Sequence, residues 1–198
     1  NAFAAMLAAL RPETKQALAR SPLLMPTLQQ VFRRSNRNVE SDEDYFSGKA
    51  HPTVFDSAQL DPEVMVRRAH EFKPDSLPPF AQFKVVKEDT PVPGRDFFDF
   101  RPNQRLFDTP CASARVYKST ASSLRFTLDA SASRDLSGKT LSYRWEVLRG
   151  DTERIIIKEK DATGGLVEVT IPWHERRLVL HRRLPPAALA TLLRISAE

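Results

Sequence analysis

Apolar and polar positions alternate from Leu124 to Asp129, with Leu124, Phe126 and Leu128 set against Arg125, Thr127 and Asp129. Side chains of a β-strand point to opposite faces with a period of two, so the run predicts a strand with one core-facing and one wet side. The stretch from Leu141 repeats the pattern and places Leu141, Tyr143, Trp145 and Val147 on one face. A buried indole covers about 200 Å² of apolar surface, which makes Trp145 the expected anchor between two sheets. Arg134, Asp135, Leu136, Ser137 and Gly138 lie between the two runs. They supply turn chemistry, because glycine adopts positive φ freely and aspartate bonds forward to the backbone.

Further strands are predicted at 80–86, 111–118, 154–159, 166–172 and 176–183, with the two runs above read as 123–130 and 140–148. Glu88 to Pro93 reads as an acidic, proline-bearing turn. Residues 94–110 read as an aromatic loop whose Phe97, Phe98, Phe100 and Phe107 fold against the sheets. Short strands at this spacing argue for a sandwich or barrel. The first third is different. Residues 2–35 read as helical pieces separated by proline, a packing appendage on which Gln29, Gln30, Arg33 and Arg34 form a solvated face. Residues 36–60 are polar and irregular. A helix then opens at Asp61 as N-cap, with Pro62 in the first helical position and Val64, Met65, Ala69 and Phe72 on its buried side. At the other end, Pro185-Pro186 followed by an Ala/Leu tail reads as a terminal helix.

Ala130, Ser131, Ser133, Asp135, Gly138, Tyr143 and Trp145 together resemble the front half of a PKD module. In that family a small-residue run of the type A-S-x-S-x-D leads through a glycine turn into a strand carrying Y-x-W. The resemblance implies an immunoglobulin-like antiparallel β-sandwich of a bacterial secreted or surface protein. The expected fold is therefore mainly β: a helical and irregular extension over 1–77, a PKD-like sandwich over 78–184 and a tail over 185–198. Gly165 to Ile171 fits one closing strand of such a module, whereas the stretch from His174 onward departs from the pattern. Some PKD-like modules carry calcium near their strand-connecting loops. Asp129, Asp135 and Asp151 are the acids placed for that role, although a turn-forming Asp135 needs no ion.

Composition narrows this little. The 198 residues are 41% hydrophobic and 28% charged, ordinary for a chain that buries a core. Fifteen prolines against six glycines favour extended segments over long helices. A net charge of +5 suits acidic partners, but the basic residues are scattered among 25 acids, and no nucleic-acid partner is favoured. Cys111 is the single cysteine, so no intrachain disulfide forms, and it is expected to pack as a small hydrophobe. The apolar run from Ala2 to Leu10 is too short to span a bilayer and has no basic n-region. The chain opens on Asn1, which points to processing or to a piece of a longer protein, with an extracellular or periplasmic home.

Two clusters carry candidate chemistry. Asp42, Glu43, Asp44 and His51 bring metal-capable or acid/base groups into one loop, without the spacing of an H-E-x-x-H or EF-hand site. The alternative reading is a solvated acidic loop that caps a helix. His174, Arg176, Arg177, His181, Arg182 and Arg183 form the most concentrated charge. As a strand this run puts Arg177, His181 and Arg183 on one face, where they could hold a sulfate, uronate or phosphate. It could equally protect an edge strand. Trp173 could stack on a sugar ring or plug a strand end. No serine-nucleophile elbow and no Gly-rich phosphate loop occurs. These residues favour a non-catalytic binding or spacer module, possessing no cofactor and holding a protein partner or an acidic polysaccharide. The alternatives are a secreted hydrolase fragment with a site in the 41–56 loop, or a structural subunit of a multiprotein complex.

Overall fold

The computed structural model describes residues 1–52, 54–98, 103–117, 119–173 and 190–197. The chain divides into two compact units, the first made of Asn1–Phe80 with Asp135–Thr140, the second of Ala81–Arg134 with most of the chain from Leu141 onward. Helix and strand share the chain about equally. The "mainly β" expectation thus describes the second unit and not the whole.

Helices α1 (Ala2–Ala9), α2 (Pro12–Ala19), α3 (Leu24–Arg34), α4 (Asp42–Tyr45) and α5 (Pro62–Glu71) all belong to the first unit. Met6, Leu10, Leu18, Leu23, Leu28, Val31, Met65, Ala69 and Leu77 form its buried core. The expected appendage therefore has a core of its own, because the apolar stripes of α1, α3 and α5 face one another. Asp61 caps α5 as predicted, its carboxylate accepting from the amides of Glu63 and Val64 at 3.1 and 3.0 Å. At the other end of α5, Arg11 Nε donates to the His70 carbonyl at 2.9 Å and Thr14 Oγ1 to the Phe72 carbonyl at 2.8 Å. These side chains satisfy carbonyls that a helix terminus leaves without intrahelical partners.

The second unit holds strands β1 (Lys84–Glu88), β2 (Asn103–Thr109), β3 (Ala112–Tyr117), β4 (Ser123–Asp129), β5 (Leu141–Arg149), β6 (Ile156–Glu159), β7 (Leu166–Pro172) and β8 (Ala190–Ala197). A four-stranded antiparallel sheet runs β1-β4-β7-β6, while β2 pairs with β3 and β5 with β8. The central position of β4 and β7 explains why Val167 and Val169 are buried, at 0% and 3% exposure. Strand β1 starts later than the predicted 80–86 and carries an irregularity between Val85 and Lys87, which leaves Val86 exposed.

Three expectations are corrected. The 94–110 segment is not one aromatic loop: Phe97 is buried, Phe98 is 79% exposed, and Phe107 sits half-exposed in β2. Exposed Leu106 and Phe107 hid the strand by leaving no alternation, and Pro110 and Cys111 form the two-residue turn of the β2–β3 hairpin, where Thr109 pairs with Ala112. Cys111 is consequently exposed at the hairpin tip instead of packed. The Ala/Leu tail is strand β8, paired with β5, so strand pairing overrides its helical propensity. The predicted strand at 176–183 lies outside the described residues.

Candidate functional site

The 41–56 loop is anchored on α3. Ser41 caps α4, its hydroxyl accepting from the Asp44 amide at 3.2 Å. Asp42 then pairs with Arg34 at 2.7 Å, while Asp44 pairs with Lys49 and accepts from the Glu40 amide at 3.1 Å. The Lys49 hydrogen bond comes first among the influences that hold the Asp44 carboxyl below its ordinary pKa. His51 takes a third direction. Arg33 Nη1 lies 2.7 Å from His51 Nδ1 and donates at 2.9 Å to the Ala50 carbonyl. A guanidinium N–H can only donate, so Nδ1 is the acceptor and the imidazole proton sits on Nε2.

Aromatic rings complete the cluster. Arg34 lies 4.2 Å from the Tyr45 ring centroid and Arg33 5.3 Å from that of Phe55. Tyr45 meets His51 edge-on at 5.4 Å, and Phe55 meets Phe32 edge-on at 5.1 Å. Burial lowers the Arg33 pKa and raises that of the Tyr45 hydroxyl, which disfavours a phenolate general base. Arg33 and Arg34 are therefore half-buried organisers of the loop and not a solvated face. Sequence periodicity missed them because their partners, Tyr45, His51 and Phe55, lie in an irregular segment without any period.

This arrangement does little chemistry of the hydrolytic kind. Asp42, Asp44 and His51 engage three different cations, and the nitrogen of His51 that could act as base or ligand already accepts from Arg33. Among the described residues, no group of three or more His, Cys, Asp or Glu side chains comes together to hold a metal. The calcium candidates behave as local turn and pairing groups. Asp129 accepts from the Ser131 amide at 2.9 Å and pairs with Lys84 at 3.3 Å. Asp135 accepts from the amides of Ser137 and Lys139 at 2.8 and 3.2 Å, and Asp151 pairs with Arg154 at 3.5 Å.

Trp173 follows the last residue of β7, with its backbone N–H on the Ser122 carbonyl at 2.8 Å and its side chain 58% exposed, so it is not a core plug. Arg177, His181, Arg182 and Arg183 lie outside the described residues. Trp145, the expected buried anchor, is only half-buried. Its indole N–H donates to the Gly164 carbonyl at 2.9 Å, and its ring meets Phe83 edge-on at 6.2 Å.

A polar cluster that the sequence did not reveal lies in the second unit. Glu88, read as part of a turn, closes β1 and accepts from Arg115 Nε and the Tyr117 hydroxyl, both at 2.8 Å, and from Arg105. Arg115 also reaches Asp108 at 2.8 Å, with only 9% of its side chain exposed. Burial acts to raise the Glu88 pKa, but the hydrogen bonds from Arg115, Tyr117 and Arg105 leave it lowered. Burial and the Glu88 carboxylate raise that of Tyr117. Only the spacing of Arg115 and Tyr117, two residues apart on one strand face, carried any signal of this tether.

Comparison with protein-family models, curated proteins and solved structures found no match to this chain. The likeness to PKD modules rests on the 123–151 residues alone.

Proposed function

We propose that the chain is a non-catalytic binding or spacer module of a larger exported protein or assembly, built on a PKD-like sandwich with a helical companion unit. The observation that carries this reading is that the motif residues have structural employment. Ala130 is fully buried. Ser133 clamps Gln82 by accepting from its amide at 2.9 Å and donating to its carbonyl at 2.8 Å. Asp135 shapes the turn, Gly138 holds φ at 74°, and Trp145 bonds Gly164. A motif used this way supports a scaffold role. Strands β4 and β5 are consecutive but belong to different sheets, which is the connection a two-layer sandwich uses; β5 with β8 would form part of the second layer. Within the 41–56 loop, the separate pairing of Asp42 with Arg34 and of Asp44 with Lys49 favours the module over a hydrolase fragment.

The test has two arms. Incubation with ester, glycoside and phosphoester substrates, with and without divalent metal, leaves them intact. Turnover that accompanies the purified chain and is lost in Asp44→Asn would overturn the proposal. On the binding side, retention on heparin that drops in the Arg182→Ala/Arg183→Ala variant supports an acidic glycan as partner, and unchanged retention removes the basic run from consideration.

A further inference from the structure

Most charged side chains described above have partners within their own fold. An exception lies in the first unit, where α3 and α5 border an open groove of about 320 Å³ whose lining includes Gln30, Val31, Arg34, Arg68, Glu71 and Phe72, with Ser76 in the segment after α5. Val31 and Phe72 supply an apolar floor. Arg34 is already engaged by Asp42 and Tyr45. Arg68 differs: its Nε is shielded from solvent and has no hydrogen-bond partner among the described residues. Glu71 stands three residues further along α5, on the same helix face, yet forms no ion pair with Arg68. Gln30 likewise has no hydrogen bond among the described residues.

A buried donor without an acceptor costs about 1–3 kcal/mol, a cost that an incoming acceptor relieves. Guanidinium binds carboxylate through paired N–H donors, and a small turn of the Arg68 side chain would bring Nε into such a pair. The charge count decides between anions. With Arg34 neutralised, Arg68 and Glu71 sum to zero, which is too little for a phosphate dianion or a polyanionic glycan. A monoanionic carboxylate flanked by N–H donors fits, because Glu71 and the Gln30 carbonyl can accept those donors while the apolar floor covers the chain between them. That combination describes a peptide segment.

Resting on the binding-module reading, we infer that the α3–α5 groove docks an acidic segment of a protein partner, with Arg68 receiving an Asp or Glu side chain and Glu71 and Gln30 receiving neighbouring backbone N–H groups. An open groove with a single charge anchor supports weak docking of an isolated peptide, in the millimolar range.

The side-chain Nε–H resonance of Arg68 reads this directly. In the ¹⁵N-labelled chain it is assigned by its loss in Arg68→Lys and followed during addition of Ac-Ala-Glu-Ala-NH₂, Ac-Ala-Gln-Ala-NH₂ or inorganic phosphate. The glutamate peptide should shift the resonance to saturation, and the glutamine peptide should bind about tenfold more weakly, as expected when a charge-assisted pair becomes a neutral one. Phosphate should act no more strongly than the glutamine peptide. A stationary Arg68 resonance with the glutamate peptide overturns the inference. So does an equal response to phosphate, which would make the groove a plain anion site. Either failure removes this groove alone, since the module reading is judged by turnover and by the basic run.

Discussion

Replacing Glu88 with glutamine probes how the β2–β3 hairpin is held to β1. The side chain keeps its shape and loses its charge, so the change is electrostatic. The structure gives three contributions. Arg115 is 9% exposed and Glu88 13%, so their hydrogen bond is sheltered, and its change from charged to neutral costs about 1–2 kcal/mol. Arg105 is 69% exposed, and solvent screening limits its share to about 0.5 kcal/mol. The Tyr117 hydroxyl can rotate to accept from the new amide, so its loss is small. Arg115 also retains Asp108, which prevents the full penalty of an abandoned buried cation. The sum is about 2 kcal/mol, or about 4–8 °C in Tm for a chain of this size. Urea unfolding followed by tryptophan fluorescence measures it, because both tryptophans, Trp145 and Trp173, belong to the second unit. The pH dependence supplies the sign. The folded pKa of Glu88 is lowered, so its contribution is present above the ordinary glutamate range and fades as pH falls through the folded value. Wild type and Glu88→Gln should therefore differ at pH 7 and converge below about pH 4. Equal midpoints at pH 7, or a gap that widens on acidification, would refute the tether.

Val167→Ala should cost about 2–3 kcal/mol, since the residue is fully buried and the change removes two methyl groups and leaves a cavity, whereas half-buried Trp145→Phe should cost about 1 kcal/mol. Urea melts followed by far-UV circular dichroism rank the two, and a larger loss for Trp145→Phe would restore the indole as main anchor. Asp61→Ala removes a cap that accepts two amides, with an expected loss of about 1 kcal/mol in the first unit and faster hydrogen exchange at Glu63 and Val64; unchanged exchange at both would show that the cap carries no weight. The Asp96 carboxyl, held first by Arg95 and then by the Val92 amide, should titrate at about 2 in carboxyl-carbon NMR, and a midpoint in the ordinary aspartate range would show that this pairing does not persist in solution.

The sequence was most legible where one local rule governs. The span of β4, the cap at Asp61 and the Asp135 turn each follow from nearest-neighbour chemistry and appear where pattern reading puts them. Strand β8 was not legible, because an Ala/Leu run has a helical preference that only pairing with a remote strand reverses. Strand β2 failed for a related reason: its exposed Leu106 and Phe107 give no alternation, and its register shifts between Arg105 and Phe107. Trp145 was located on the right strand but assigned too much burial. A large aromatic whose N–H must reach a carbonyl sits near an edge, where polar groups are available, and leaves the center to valines.

The same reasoning separates charges that hold the fold from charges open to a partner. Composition counts both kinds alike, and a net charge of +5 does not distinguish them. Arg33, Arg34 and Arg115 are half-buried or more, with partners contributed by distant segments of their own unit. Substituting any of them perturbs folding before it perturbs binding, so a loss of function there would be ambiguous. Arg68 has no such partner: its buried Nε makes no hydrogen bond among the described residues. Arg68→Gln should consequently leave the unfolding midpoint of the first unit unchanged or raised, because an unsatisfied donor is lost, while abolishing the shifts that the acidic peptide causes in the backbone amides of α3 and α5. A clear fall in stability would show instead that Arg68 supports the helices and that the groove is a packing defect.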